Sequence, residues 1–306
     1  MSIFPESMRN RLRSTFTGQL EGQPEWVLAL DQGDDAGFFD PASATWAVHG
    51  QTATIAAGVR ALLMQALHPG AMAGVHDWSR YREDPLGRLA GTIRWIFTVT
   101  YADTETAVSA SNWVLKLHER VVGSYLDAQG RERDYAANDP ELLSWVHLAF
   151  TDSFLATAKL WSTPIPGGPD AYVREWAKAG ELMGVPNPPR SEAELHAQIR
   201  AFLTSGTLKS DERVAEAVRF IRRPPLARGL MPGYRVLFNG AVASIAPEYR
   251  RMLGLQPAHL WRVPLPSVTA TRLVLKVVGD MLGTGPGPSE LAARRRLARL
   301  ERVAAP

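Results

Sequence analysis

The sequence predicts an all-α protein, a single helical domain of roughly ten helices. Three observations predict it. Apolar residues recur three and four apart through most of the 306 residues. Helix-start signals repeat, with an Asp-Pro pair at 84–85 and another at 139–140. No stretch alternates apolar and polar residues convincingly, no hairpin dipeptide separates two such runs, and no βαβ rhythm appears.

Taken in order, residues 1–44 read as a lead-in of short helices and loops packed on the core. "LEGQPEW" and "DQGDDAGFFDP" carry Gly, Pro and Asp with little period. Residues 45–250 form the helical core. "QTATIAAGVRALLMQAL" (51–67) is apolar nearly all round, so it predicts a helix buried on most sides and ending at "HPG". "DPLGRLAGTIRWIFTVT" starts at the Asp84 cap and runs as a helix to about Thr100. A helix over 103–126 follows and carries His118. The 139–161 segment repeats the cap grammar. Helices are expected at 170–183, at 210–222, at about 228–245, and after Ser191, which stands three before Glu194 in capping-box spacing. Residues 251–306 hold the remaining helices. The last is a basic amphipathic helix with Arg294, Arg295, Arg296, Arg299 and Arg302 beside Leu291, Leu297, Leu300 and Val303. Such a helix packs on its domain or lies on anionic lipid, and the first is the commoner arrangement.

Composition narrows the function. Thirty-four basic against 31 acidic side chains give a net charge of +3, with no basic stripe interleaved with aromatics, so nucleic acid is not an expected partner. Cysteine is absent, which removes disulfides, thiolate nucleophiles and sulfur-ligated metals and fits a reducing cytoplasm. No apolar run has the length of a signal peptide or a membrane span. The expected location is therefore cytoplasmic. Nine tryptophans point to a bulky core or a large apolar pocket.

The common catalytic grammars are missing: no GxGxxG, P-loop, HExxH or GxSxG, and no paired carboxylates in an apolar segment. What remains are histidines in apolar helical surroundings. His118 lies in "VLKLHERVVGSY" with Val114, Leu115, Val121 and Val122 a turn away, and His147 lies among Leu143, Phe150 and Phe154. A lone histidine on such a face is ordinarily a core residue. The sharper reading is a metal or haem ligand held between helices. The residues' own spacing does not separate His118 from His147. His68 precedes Pro69 at a helix end, His76 falls in a connecting segment, and His49, His196 and His259 read as peripheral. A second constellation is "RLAGT". Arg88 and Thr92 share one helical face, with the small Gly91 beside them and Trp95 a turn on. A cation, a hydroxyl and a gap suit a polar diatomic molecule or a carboxylate, whereas the plainer reading is a salt bridge and a back-bonded threonine.

The order of segments resembles the helical haem proteins that include the rubber oxygenases (latex-clearing proteins) and the MpaB-type oxygenases. The matching pieces are "RALLMQALHPGAMAGV" (60–75), "DPLGRLAGT" (84–92), "KLHERVVG" (116–123), "YAANDPELLSWVHLAFTDSFLA" (135–156) and "LMGVP" (182–186). They span roughly residues 45–250. The resemblance implies haem b held between core helices, dioxygen chemistry by an oxidoreductase, and an apolar, isoprenoid or lipid-like substrate. It implies His118 as the proximal iron ligand, with Arg88 and Thr92 as the distal catalytic pair. One position departs from the pattern. The rubber oxygenases carry a lysine just before the threonine, where it caps the iron, and this chain has Gly91. The alternative class is a non-catalytic haem- or lipid-binding helical protein, which needs the same pocket but consumes no oxygen.

Overall fold

Pro85 and Pro140 each open a helix, as the Asp-Pro pairs predict. A computed structural model of the chain describes residues 23–78, 85–261, 263–283 and 285–304. The expectations for residues 1–22 and for the Asp84 cap lie outside them, as does the side chain of Arg88. Among the described residues there are fourteen α-helices and two small antiparallel hairpins. In chain order the helices are α1 (Glu25–Ala29), α2 (Ala44–His49), α3 (Ala53–Gln65), α4 (Pro69–Trp78), α5 (Pro85–Tyr101), α6 (Thr104–His118) and α7 (Pro140–Trp161). They continue with α8 (Gly168–Leu182), α9 (Glu192–Thr204), α10 (Glu212–Arg222), α11 (Met231–Ser244), α12 (Pro247–Met252), α13 (Ser267–Leu282) and α14 (Pro288–Ala304). The count exceeds ten because α1, α2 and α12 are helices of one to two turns.

Helix α7 organises the core. Leu142, Leu143, Trp145, Leu148, Phe154 and Leu155 are all buried along it. Each such side chain withdrawn from water contributes about 2 kcal/mol. Its main neighbour is α3. Ala53, Ala56, Ala57 and Ala61 line α3 with buried methyl groups that permit a close approach. This contact also holds a buried ion pair. Asp152, on α7, is buried and pairs with the equally buried Arg60 of α3 at 2.6 Å. Arg60 also donates to Ser153 Oγ at 2.9 Å, and His196 of α9 reaches Asp152 at 3.3 Å.

Helices α5 and α6 form an antiparallel hairpin joined by Ala102 and Asp103. The loop before α2 presses on this joint. Gly37 has φ +80°, and a Cβ there would stand 2.1 Å from the Ala102 carbonyl oxygen, so only glycine fits. Helix α6 ends at His118, eight residues short of the expected 126. The chain then forms β1 (Val122–Leu126), which pairs with β2 (Glu132–Ala136) in the register Gly123 to Tyr135. Asp139 does precede α7, but its side chain caps nothing in that helix. It accepts from Ala136 N at 2.8 Å and ties off the hairpin instead.

The basic helix α14 docks on the protein. Arg296 is 0% exposed, and its guanidinium donates to the carbonyls of Leu30 at 2.7 Å and Tyr101 at 2.8 Å. Arg299 donates to Gly33 O, Arg295 pairs with Asp31, and Arg294 pairs with Glu290 beneath Trp46. The face offered for lipid is thus spent largely on internal bonds. No helix among the described residues is long and apolar enough to cross a membrane.

Candidate functional site

The seven histidines divide by what their ring nitrogens touch. His49 is buried, not peripheral. Thr100 Oγ1 donates to Ile96 O, so it accepts from His49 Nδ1–H at 2.7 Å, and Nε2 accepts from the Tyr172 hydroxyl at 3.1 Å. Phe154, Tyr172 and Trp176 pack edge-on around the ring. His68 is the N-cap of α4. Its Nδ1 accepts from Gly70 N at 3.2 Å, and its Nε2–H donates to Glu141 at 3.1 Å. His76 lies within α4 rather than in a connecting segment, and bonds Asp77. His196 is engaged with Asp152, and His259 is exposed as expected.

His118 and His147 are different. Among the described residues, the buried imidazole nitrogens without a hydrogen-bond partner are Nδ1 of His118 and Nε2 of His147. Burial pushes the His118 pKa below the ordinary imidazole value and holds His147 down to about 4, so both rings are neutral near pH 7. Asn138 stands close enough to the His118 ring to favour its charged form in part. Asn138 Nδ2 donates to Leu115 O at 3.0 Å, which fixes the side chain, and its Oδ1 is buried without a partner too. Sequence reasoning passed over this residue. It reads as part of a helix cap in "NDPEL", and only its place beside the cap residue hinted at more.

Space separates the two rings. His147 is only 8% exposed, and a Cβ on Gly180 of α8 would lie 3.0 Å from its Cε1 and 3.1 Å from its Nε2. Pro188 crowds the same point. The backbone of Gly180 therefore lies close to the partnerless nitrogen, with Pro188 beside the same glycine. His118 ends α6 and is half-buried. One turn before it, Val114 and Leu115 pack with Trp95 against Leu143, Met183 and Val185. This apolar wall draws on α5, α6, α7 and the loop after α8.

The α5–α6 hairpin sets the positions of the other predicted residues. Trp95 Nε1 donates to Ser111 Oγ at 3.2 Å, which fixes the register of the two helices. Both rise about 1.5 Å per residue, so counting outward from that bond sets Thr92 level with Val114 and Arg88 level with His118. The three residues thus fall at the same end of one hairpin. Thr92 is half-buried. Gly91 is exposed, and a Cβ there would meet nothing within 4 Å. Among the described residues no group of three or more His, Asp or Glu side chains is placed to hold a metal ion by itself. A neutral imidazole keeps a ring lone pair that can be given to a metal or a cofactor.

No curated protein and no solved structure matches the chain. A family model does, over residues 46–300, and its description is "ER-bound oxygenase mpaB/B'/Rubber oxygenase, catalytic domain". That match covers most of the chain and takes in the hairpin, the wall and both orphaned imidazoles, so the chain belongs to this family of oxygenase catalytic domains.

Proposed function

We propose that the protein is a haem b-dependent oxygenase acting on an apolar, isoprenoid or lipid-like substrate, with His118 as the iron ligand. The observation that carries this reading is a neutral imidazole at the end of an apolar wall, with its Nδ1 buried beside the unpartnered amide oxygen of Asn138. A neutral ring has a lone pair to give to iron. Asn138 completes the arrangement. Its unpartnered Oδ1 is the acceptor at hand for an N–H on His118 Nδ1, and that tautomer would leave Nε2 for the metal. His147 is the poorer ligand, because the backbone of Gly180 lies close to its free nitrogen.

When bound, haem supplies the activation of dioxygen. The chain supplies placement and polarity. Arg88 brings a permanent positive charge and Thr92 a hydroxyl to the end of the hairpin where His118 sits, and both favour negative charge beside them. Leu143, Met183, Val185 and Trp95 keep water away and suit a hydrocarbon chain. The open space at Gly91, where the rubber oxygenases carry lysine, leaves the distal side uncapped by that residue. Oxidative cleavage of a carbon–carbon double bond is the reaction such a site suits.

The test is a visible absorption spectrum of the purified protein, with haem, dithionite and carbon monoxide added in turn, followed by oxygen uptake with an olefinic isoprenoid. Wild type and His147→Leu should bind haem stoichiometrically, and His118→Ala should not. Full occupancy in His118→Ala sinks the ligand assignment. Haem binding without substrate-dependent oxygen uptake supports the non-catalytic alternative.

A further inference from the structure

The net charge of +3 hides a strong asymmetry. Between Ala217 and Gly279 the sequence carries ten Arg or Lys residues and one acid, Glu248. This stretch alone holds a surplus of nine positive charges, so the rest of the chain is negative overall. It builds the end of α10, where Arg219 and Arg222 lie, then α11 to α13 and the second hairpin, in which His259–Leu260 pairs with Val263–Pro264.

The same region leaves apolar side chains in water. Trp261, at the hairpin tip, is 94% exposed and has φ +60°, an unfavourable conformation for a bulky residue. Val263 and Leu265 follow it, both exposed. Helix α13 then continues the pattern. One face, with Ser267, Thr271 and Leu275, is buried, and Thr271 donates to Val236 O of α11 at 3.1 Å. The opposite face is a single exposed stripe of Thr269, Arg272, Leu273, Lys276, Val277 and Asp280. Leu273 and Val277 stand one turn apart, and so do Arg272 and Lys276 beside them. Arg272 donates to a carbonyl, Leu160 O, which leaves its charge unneutralised by that bond.

We propose that this face, Trp261 to Val277, docks the protein on the surface of an anionic lipid bilayer. Tryptophan is favoured at the boundary between headgroups and acyl chains, because its indole is apolar with one polar N–H. Leucine and valine enter the same layer, and the adjacent arginine and lysine reach up to the headgroups. Charge selects this occupant. A second copy on the same face would set Arg272 and Lys276 of one molecule near those of the other. An anionic membrane complements the excess and draws it in by long-range attraction. Attachment is peripheral, since no helix among the described residues can span a bilayer. The inference stands apart from the oxygenase reading and needs no haem.

The experiment is co-sedimentation with vesicles of phosphatidylcholine alone and of phosphatidylcholine with phosphatidylserine. The protein pellets with the anionic vesicles only, and less as salt rises. Arg272→Gln with Lys276→Gln weakens partition about thirtyfold, as expected for two cations near an anionic surface. Trp261→Ser with Leu273→Gln abolishes pelleting at an unchanged melting temperature. If the double variant melts early, Trp261→Ser alone at the exposed tip gives the same loss. Absence of pelleting with anionic vesicles overturns the proposal, and so does pelleting that these variants leave intact. A concentration-dependent dimer lost in Leu273→Gln, with vesicles ignored, assigns the face to a second copy and also overturns it.

Discussion

The ring of His147 lies against the backbone of Gly180, with Nε2 3.1 Å from the point where a side chain on that glycine would begin. Both groups are held by packed helices, α7 and α8, so neither yields easily. Gly180→Ala should therefore cost about 1–3 kcal/mol through overpacking, despite alanine's better helix propensity. A urea midpoint equal to wild type would show that the ring moves freely and that its environment is looser than the contact implies.

Asn138 should matter for haem and little for folding. Its amide already satisfies Leu115 O, and its oxygen has no other partner. Asn138→Leu removes the acceptor for His118 Nδ1 and should weaken haem binding about 10- to 100-fold, the usual penalty for losing the group behind a ligating histidine. Haem titration of the variant checks this. Unchanged affinity would assign Asn138 a purely structural role.

Stability should fall in mild acid. Burial holds His49 down to about 3 and His147 to about 4, against 6.5 in the unfolded chain. Below about pH 6.5 the unfolded chain takes up protons that the folded rings refuse. Stability is complete above that pH and declines through the window below it, by up to about 1.4 kcal/mol per pH unit for each ring. His196 has the opposite sign. Asp152 raises its pKa, so its contribution is present at low pH and is lost as pH rises through the raised value. It is one partly exposed ring against two buried ones, and the buried pair dominates. Urea midpoints taken from about pH 7 to pH 5 should drop, and His147→Leu should flatten the slope by one ring's share. A flat wild-type profile would contradict the burial.

The Arg60–Asp152 pair offers a fourth test. Both charges are buried and 2.6 Å apart. Removing one partner, as in Asp152→Leu, strands the other and should cost about 3–5 kcal/mol. Arg60→Met combined with Asp152→Leu should recover much of that loss, because two apolar side chains strand no charge. Additive losses in the double variant would mean that His196 and Ser153, not the pair, carry the energy.

Most helices were legible, because α7 and α9 announce themselves by cap residues and apolar spacing. Ser191 accepts from Glu194 N as predicted, although Glu194 bonds Arg190 N rather than closing the box on Ser191. The first hairpin was missed for a physical reason. Val121, Val122 and Tyr125 continue the helical spacing of α6, and "ERDYA" is polar and solvent-facing except for Tyr135, so no alternation marks the strand. His49 was misplaced because its burial comes from Tyr172 and Trp176, more than 100 residues away in sequence. His118 and His147 read alike along the chain. Their difference, a glycine backbone against one ring and an asparagine beside the other, exists only in three dimensions.

The clamp formed by Arg296 has a consequence for how the chain comes to be folded. Its partners, Leu30 and Tyr101, precede it by 266 and 195 residues. During synthesis both carbonyls wait, with the joint between α5 and α6 lacking its donor, until α14 has cleared the ribosome. Contacts of such long range are slow to form. The hairpin that positions Arg88, Thr92 and His118 is therefore secured late, after nearly all of the domain has been made.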